Sequence, residues 1–301
     1  MSLKSSSSSS LLSIGRIIDN AWDTYKSRFP QLLAVSGWLL LPTLVSVVSF
    51  ALYPSASDLL AQKSLGPVEQ AAIAIWIANA LLLTPVTGLL TFIALVRVLK
   101  REDEGSKPLA HHPFSKLSRS VFWSVMLAQF LTALVLLASW LLVLPGSLLV
   151  VLGGLTLSGV VSMIGGLLLI VGVAASLLLT FRWLVLYAYA PFAVLFDGRR
   201  GRKALTRSRE LIRGRWWPAA IRMFLPKLVF FLAAFAIQAL AAFLLDILLS
   251  TVAGLNSDLY VRLSGIFSTL FVGLAAIIFN PLFLSADVIV YENLRDTKTN
   301  P

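Results

Sequence analysis

Cysteine is absent from this 301-residue chain. That excludes disulfides, thiolate metal sites and a cysteine nucleophile. Histidine occurs only as the adjacent pair His111 and His112, beside Pro113. Neighbouring side chains project in different directions and make a poor metal site. Asp103 and Glu104 lie near, but an exposed loop is the plainer reading. No G-x-S-x-G, H-E-x-x-H or P-loop occurs. Without an acid/base or nucleophile constellation the chain reads as non-enzymatic, and no metal or cofactor is expected. Charge is also scarce, at 13% of residues against roughly 25% in soluble domains.

Apolar residues are abundant: 58% of the chain is hydrophobic and the mean hydropathy is +0.87. A soluble core of this size could not bury that surface, so the solvent must be lipid. A bilayer-spanning helix needs roughly 20 apolar residues. The sequence predicts six such spans, at about 31–53, 71–99, 121–144, within 159–186, 224–249 and 263–290. Pro145-Gly146 reads as a break after the third. Residues 1–12 form a Ser-rich tail expected to be disordered, 13–296 a single six-span membrane domain, and 297–301 a polar tail. Serines rather than an apolar run follow Lys4, so a cleaved signal is not expected.

The basic residues set the orientation. Of the 25 Lys and Arg, 22 lie before the first span, after the sixth, or in the regions 97–119 and 199–227 at the neighbouring span ends. Only Lys63 and Arg262 fall in the other loops, and Arg182 lies within a span. The positive-inside rule then places both termini in the cytoplasm, in the cell membrane. Nucleic-acid binding is the competing reading of the net charge of +11. The cations sit against apolar spans, however, where anionic lipid headgroups are the expected partner.

One unit is repeated three times: a basic, aromatic-tipped interfacial helix followed by a transmembrane hairpin. The units are about 13–100, 110–196 and 200–296. In the first, Ile14, Ile17, Ile18, Ala21, Trp22, Tyr25 and Phe29 form one helical stripe. Its ending, Tyr25 to Pro30, parallels Arg213 to Pro218. Thr84-Pro85 likewise parallels Asn280-Pro281. The whole reads as an all-α membrane protein of six transmembrane helices. Gly154, Ser158, Ser162 and Gly166 recur every four residues, a spacing that suits close helix packing.

Candidate binding residues concentrate in 197–222. Arg199, Arg200, Arg202, Lys203, Arg207, Arg209, Arg213 and Arg215 would meet lipid headgroups or a partner, or would only mark which side is in. Within the spans, Arg182 and Asp287 are expected to form an ion pair, since a lone charge in hydrocarbon is costly. Asn79, Gln129, Gln238 and Asn280 are candidates for hydrogen bonds between helices.

Four segments carry a resemblance to a known group: LSIGRIIDNAWDTYKSRFPQLL (Leu12–Leu33), Arg182-Trp183 through Ala190-Pro191, ALTRSRELIRGRWW (Ala204–Trp217) and Tyr291–Arg295. The chain resembles the glycerophosphodiester phosphodiesterase membrane-domain-like family of bacterial and archaeal multi-pass proteins. The resemblance implies a fold and a membrane setting. It does not imply phosphodiesterase activity, because only a short polar tail follows the last span. Two functions remain: a structural, lipid-interacting or accessory membrane protein, or a transporter of a lipid or anionic solute at the repeat interface. Protein partners cannot be read from the sequence.

Overall fold

A computed structural model describes residues 11–53, 64–100, 116–254 and 256–299, and these are helical almost throughout, with no strand among them. The helices are α1 (Ile14–Ser27), α2 (Phe29–Ser36), α3 (Leu40–Leu52), α4 (Pro67–Ala78), α5 (Thr84–Lys100), α6 (Lys116–Ser139), α7 (Leu144–Leu155), α8 (Gly159–Tyr187), α9 (Ala190–Asp197), α10 (Arg202–Ile212), α11 (Trp216–Ala253) and α12 (Ser257–Thr299). Short 3-10 turns join α2 to α3 and α6 to α7. A π turn, Asn79–Leu83, joins α4 to α5.

Six stretches are long and apolar enough to cross a bilayer: Phe29–Leu52, Pro67–Lys100, Ser120–Leu155, Gly159–Asp197, Trp216–Ala253 and Ser257–Lys298. The number agrees with the sequence reading, but the third boundary does not. Pro145-Gly146 does not end a helix. The missing N–H of a proline orphans the carbonyl four residues back, here Leu141. The 3-10 turn Trp140–Val143 gives that carbonyl the Leu144 N–H instead. The rod therefore continues to Leu155, and the reversal comes at Thr156–Ser158.

The helices pack as two compact units. A two-span unit comprises Trp123–Ile221 and the segment from Asn293. A four-span unit comprises Leu12–Phe122 and Arg222–Glu292. By contacts, then, α10 groups with the preceding hairpin, whereas the sequence repeat joins it to the following one.

In the two-span unit α7 lies against α8 at close range. A Cβ added at Gly146 would strike the Leu168–Leu169 backbone, and one at Gly153 would strike Ser162. On the facing helix, Gly165 meets Leu149–Val150 and Gly172 meets Leu142. The contact glycines are thus seven apart on each helix. Of the expected four-residue ridge, Ser162 lies in the contact, against Gly153, but Gly154 and Gly166 have nothing within 4 Å of an added Cβ. Period seven keeps one line of a straight helix against its neighbour over successive turns, as period four does not. Leu148, Leu155, Leu167 and Leu178 are exposed on the outside of this hairpin. So continuous an apolar surface is unusual in water and natural in lipid.

In the four-span unit the proline of α12 is serviced from elsewhere. Pro281 orphans the carbonyl of Ile277, and Ser36 Oγ donates to it at 2.8 Å. Tyr25 Oη donates to the next carbonyl, Ile278, at 3.0 Å. Burial pushes the Tyr25 phenol up from its ordinary value, which keeps the hydroxyl a donor. Asn79 is buried and donates to Pro42 O and Ser46 Oγ.

The glycine contacts yield a paired test. Gly165→Leu should lower hairpin stability by about 1–3 kcal/mol through overpacking. Gly166→Leu, one residue away and facing open space, should change it by less than about 0.5 kcal/mol. Denaturation in mixed detergent micelles measures both.

Candidate functional site

The basic segment is built on two glycines. Gly198, at φ +64°, closes α9, and Gly201, at φ +54°, opens α10. Left-handed backbone of this kind favours glycine, so the four residues 198–201 can end one helix and start the next. α10 then buries Ala204, Ser208, Leu211 and Ile212. Ser208 Oγ donates to the Leu186 carbonyl at the end of α8, at 2.7 Å. Burial on this one side leaves the other for the cations.

The eight candidate cations divide into two groups. Arg207 is half-buried and pairs with Asp197 at 2.8 Å, with Glu210 at 3.9 Å. Arg215 is also half-buried. It donates to Leu294 O and Thr297 Oγ1, each at 2.6 Å, and to Leu211 O at 3.0 Å. Burial lowers the pKa of its guanidinium from the ordinary value, and the three acceptors keep the charge useful in place. The other six, Arg199, Arg200, Arg202, Lys203, Arg209 and Arg213, are exposed. None of their side chains forms an ion pair among the described residues.

Beside this cationic face stands an aromatic edge. Trp216 packs edge-on to Phe181, with ring centroids 5.6 Å apart, and to Trp217 at 4.6 Å. Its Nε1 donates to Arg182 O at 3.4 Å. Trp217 is exposed. The last turns of α12 dock here too: Lys298 Nζ donates to Arg213 O, and Arg295 lies over the Phe196 ring.

The four-span unit has a counterpart to Arg215. Arg28, one residue past α1, donates through Nη1 to Val98 O and Leu99 O at the end of α5. α1 buries Ile17, Ala21 and Tyr25. Shifted by 187 residues, these positions become Ala204, Ser208 and Ile212, all buried, and Arg28 becomes Arg215. Val98 follows Pro85 by 13 residues and Leu294 follows Pro281 by 13. Each guanidinium therefore reaches the same point beyond its proline. A third such contact joins Arg262 to Ala51 O and Tyr53 O, at the end of α3.

The intramembrane acid has a different cation from the one expected. Asp287 Oδ1 lies 2.6 Å from Lys227 Nζ, while Arg182 belongs to the other unit. The sequence groups Lys227, at the inner end of the fifth span, with the basic region 199–227. The helix, however, begins at Trp216 and runs unbroken past Pro226, which places Lys227 inside the long rod. His111, His112, Asp103 and Glu104 lie outside the described residues.

No protein-family model matches the chain, and neither a curated protein nor a solved structure matches it.

Two measurements follow. Arg215→Met removes charge-assisted bonds, each worth about 1.5–3 kcal/mol, and should speed amide exchange over Leu294–Thr299. Arg209→Met should leave that exchange unchanged. For Lys227 and Asp287, either Lys227→Met or Asp287→Asn alone should destabilise more than the two together. The coupling in a double-mutant cycle should be about 0.5–3 kcal/mol, and additive effects would show that the contact contributes nothing.

Proposed function

We propose that this is a non-enzymatic, multi-pass protein of the cytoplasmic membrane whose α10 face binds anionic lipid headgroups. One observation carries the reading. Of eight clustered cations, Arg207 and Arg215 are engaged within the fold, and the other six are exposed and form no ion pair among the described residues. A cation near an anionic membrane surface gains about 1 kcal/mol, so six together outweigh what orientation alone demands. Both termini then lie inside. The resemblance to the glycerophosphodiester phosphodiesterase membrane-domain-like family fits this setting and adds no catalytic role. The threefold repeat is supported, for its first and third members, by the matched Arg28 and Arg215 contacts. In this arrangement α1 and α10 are interfacial helices, with Trp22 and Trp217 at headgroup level.

Transport remains a second reading, favoured by the Lys227–Asp287 pair within the spans, since intramembrane charges commonly mark ion or substrate paths. Proteoliposomes would decide it: a proton or anion flux abolished by Asp287→Asn supports transport, and no flux above empty vesicles removes it.

For the lipid reading, lipid is counted on purified protein by native mass spectrometry. The wild type should be enriched in anionic over zwitterionic phospholipid relative to the source membrane. Changing the six exposed cations to Gln should weaken that enrichment by about fivefold per residue at low salt, and added salt should weaken it further. Equal lipid composition on both proteins would count against the proposal.

A further inference from the structure

The hairpin of the two-span unit ends in a turn that neither the α10 surface nor the packing glycines account for. No Lys, Arg, Asp, Glu or His occurs between Arg119 and Arg182. The turn, Thr156–Ser158, lies within that stretch. It displays Leu157 at 92% exposure and Leu155 at 77%. Val151, Leu152, Val160 and Met163 on the adjoining helix ends are exposed as well. The turn between α11 and α12, by contrast, is followed at once by Asp258 and Arg262.

The turn closes on itself. Its three N–H groups all bond within the hairpin: Thr156 to Leu152 O at 2.9 Å, Leu157 to Gly154 O at 3.4 Å and Ser158 to Gly153 O at 2.9 Å. The hydroxyls are spent in the same way. Thr156 Oγ1 donates to Leu152 O at 2.8 Å, and Ser158 Oγ accepts from the Val161 N–H at 3.5 Å. This is the Schellman ending of a helix, whose left-handed position is ordinarily glycine. Here it is Leu157, at φ +54°, the one non-glycine residue with positive φ among those described. A leucine in that conformation costs energy. In water nothing returns the cost, because glycine or asparagine makes the same turn with less strain. In hydrocarbon, transfer of the side chain returns as much or more.

Length points the same way. The 29 residues of α8 span about 43 Å, whereas the hydrocarbon layer is about 30 Å thick. An upright hairpin would lift these bare leucines among headgroups and water; a tilted one keeps them in lipid. Because α10 is bonded to the Leu186 end of α8, the turn lies at the far end of the hairpin from it. We propose that the Thr156–Ser158 turn is a lipid-insertion surface, immersed in the leaflet opposite α10. Its occupant is acyl-chain hydrocarbon rather than water, headgroup or protein. The proposal rests on the reading of α7 and α8 as membrane-crossing, and is independent of what α10 binds.

The absence of cysteine permits single spin labels on the full-length protein in phosphatidylcholine–phosphatidylglycerol liposomes. Labels are placed at Leu157→Cys, at Leu167→Cys on the exposed side of α8, and at Ser257→Cys beside Asp258. Power saturation compares collisions with oxygen, which concentrates in lipid, and with a nickel chelate, which stays in water. The label at 157 should match that at 167, with high oxygen and low chelate access, and the label at 257 should show the reverse. If Leu157→Cys does not accumulate, Leu155→Cys carries the same expectation. Chelate access at the turn but not at 167 would overturn the proposal and leave the span intact. Chelate access at 167 as well would sink the membrane-crossing reading itself. Low collision with both reagents at the turn, or a disulfide between two copies of Leu157→Cys, would overturn the proposal in favour of a protein-covered tip. Leu157→Asn supplies a label-free check, since asparagine relieves the strain but is polar. An immersed turn predicts a lower Tm than wild type in the same liposomes, and an equal or raised Tm would place the turn in water.

Discussion

Lipid offers no hydrogen bonds, and that one constraint organises this chain. Every carbonyl freed at a helix end or behind a proline must find a donor within the protein or at the membrane surface. Secondary structure meets most of the demand. What remains is met by a small set of side chains, each at a point where the helical ladder fails. Ser36 and Tyr25 serve the carbonyls behind Pro281. Arg28 and Arg262 serve the ends of α5 and α3, and Arg215 meets the Leu294 carbonyl in the last turns of α12. The 3-10 turn before Pro145 solves the same problem with backbone alone, by tightening the helix until Leu141 O meets Leu144 N–H. These contacts explain how prolines persist in apolar helices without breaking them.

Much of the architecture was legible because lipid makes sequence patterns blunt. Six apolar runs became six membrane-length helices. The side of α1 carrying Ile17, Ala21 and Tyr25 became the buried side, as did Ala204, Ser208, Leu211 and Ile212 on α10. Three things were not legible, for separate physical reasons. Pro145-Gly146 looked like a terminus because sequence shows the lost N–H but not the 3-10 turn that compensates for it. Gly154 and Gly166 drew attention through their four-residue spacing, whereas the true contact glycines recur at seven and lie among leucines that mask them. Lys227 counts in the sequence only toward the basic region 199–227, because nothing in a linear pattern shows which acid lies across from it. The helix itself continues, and Asp287 lies within reach of it.

The candidate site was legible in composition and illegible in detail. Sequence alone showed eight clustered cations without distinguishing among them. The distinction depends on contacts between segments distant in the chain: Arg207 with Asp197 across the glycine turn, and Arg215 with Leu294 and Thr297 some 80 residues away. One sequence signal could have anticipated the second. The 13-residue spacing from Pro85 to Val98 and from Pro281 to Leu294 is visible once the prolines are aligned. Knowing that a helix end needs a donor would then have pointed to the arginine preceding each hairpin.

Positive charge in this protein therefore has several roles that composition merges into a single value of +11. An arginine that ends on a carbonyl spends its charge on the fold and has little left for the membrane. An arginine exposed without a partner does nothing for the fold and keeps its full attraction for an anionic surface. The two roles compete for the same residue type, yet adjacent positions on α10 separate them cleanly, because a helix turns 100° per residue and presents neighbours to different surroundings.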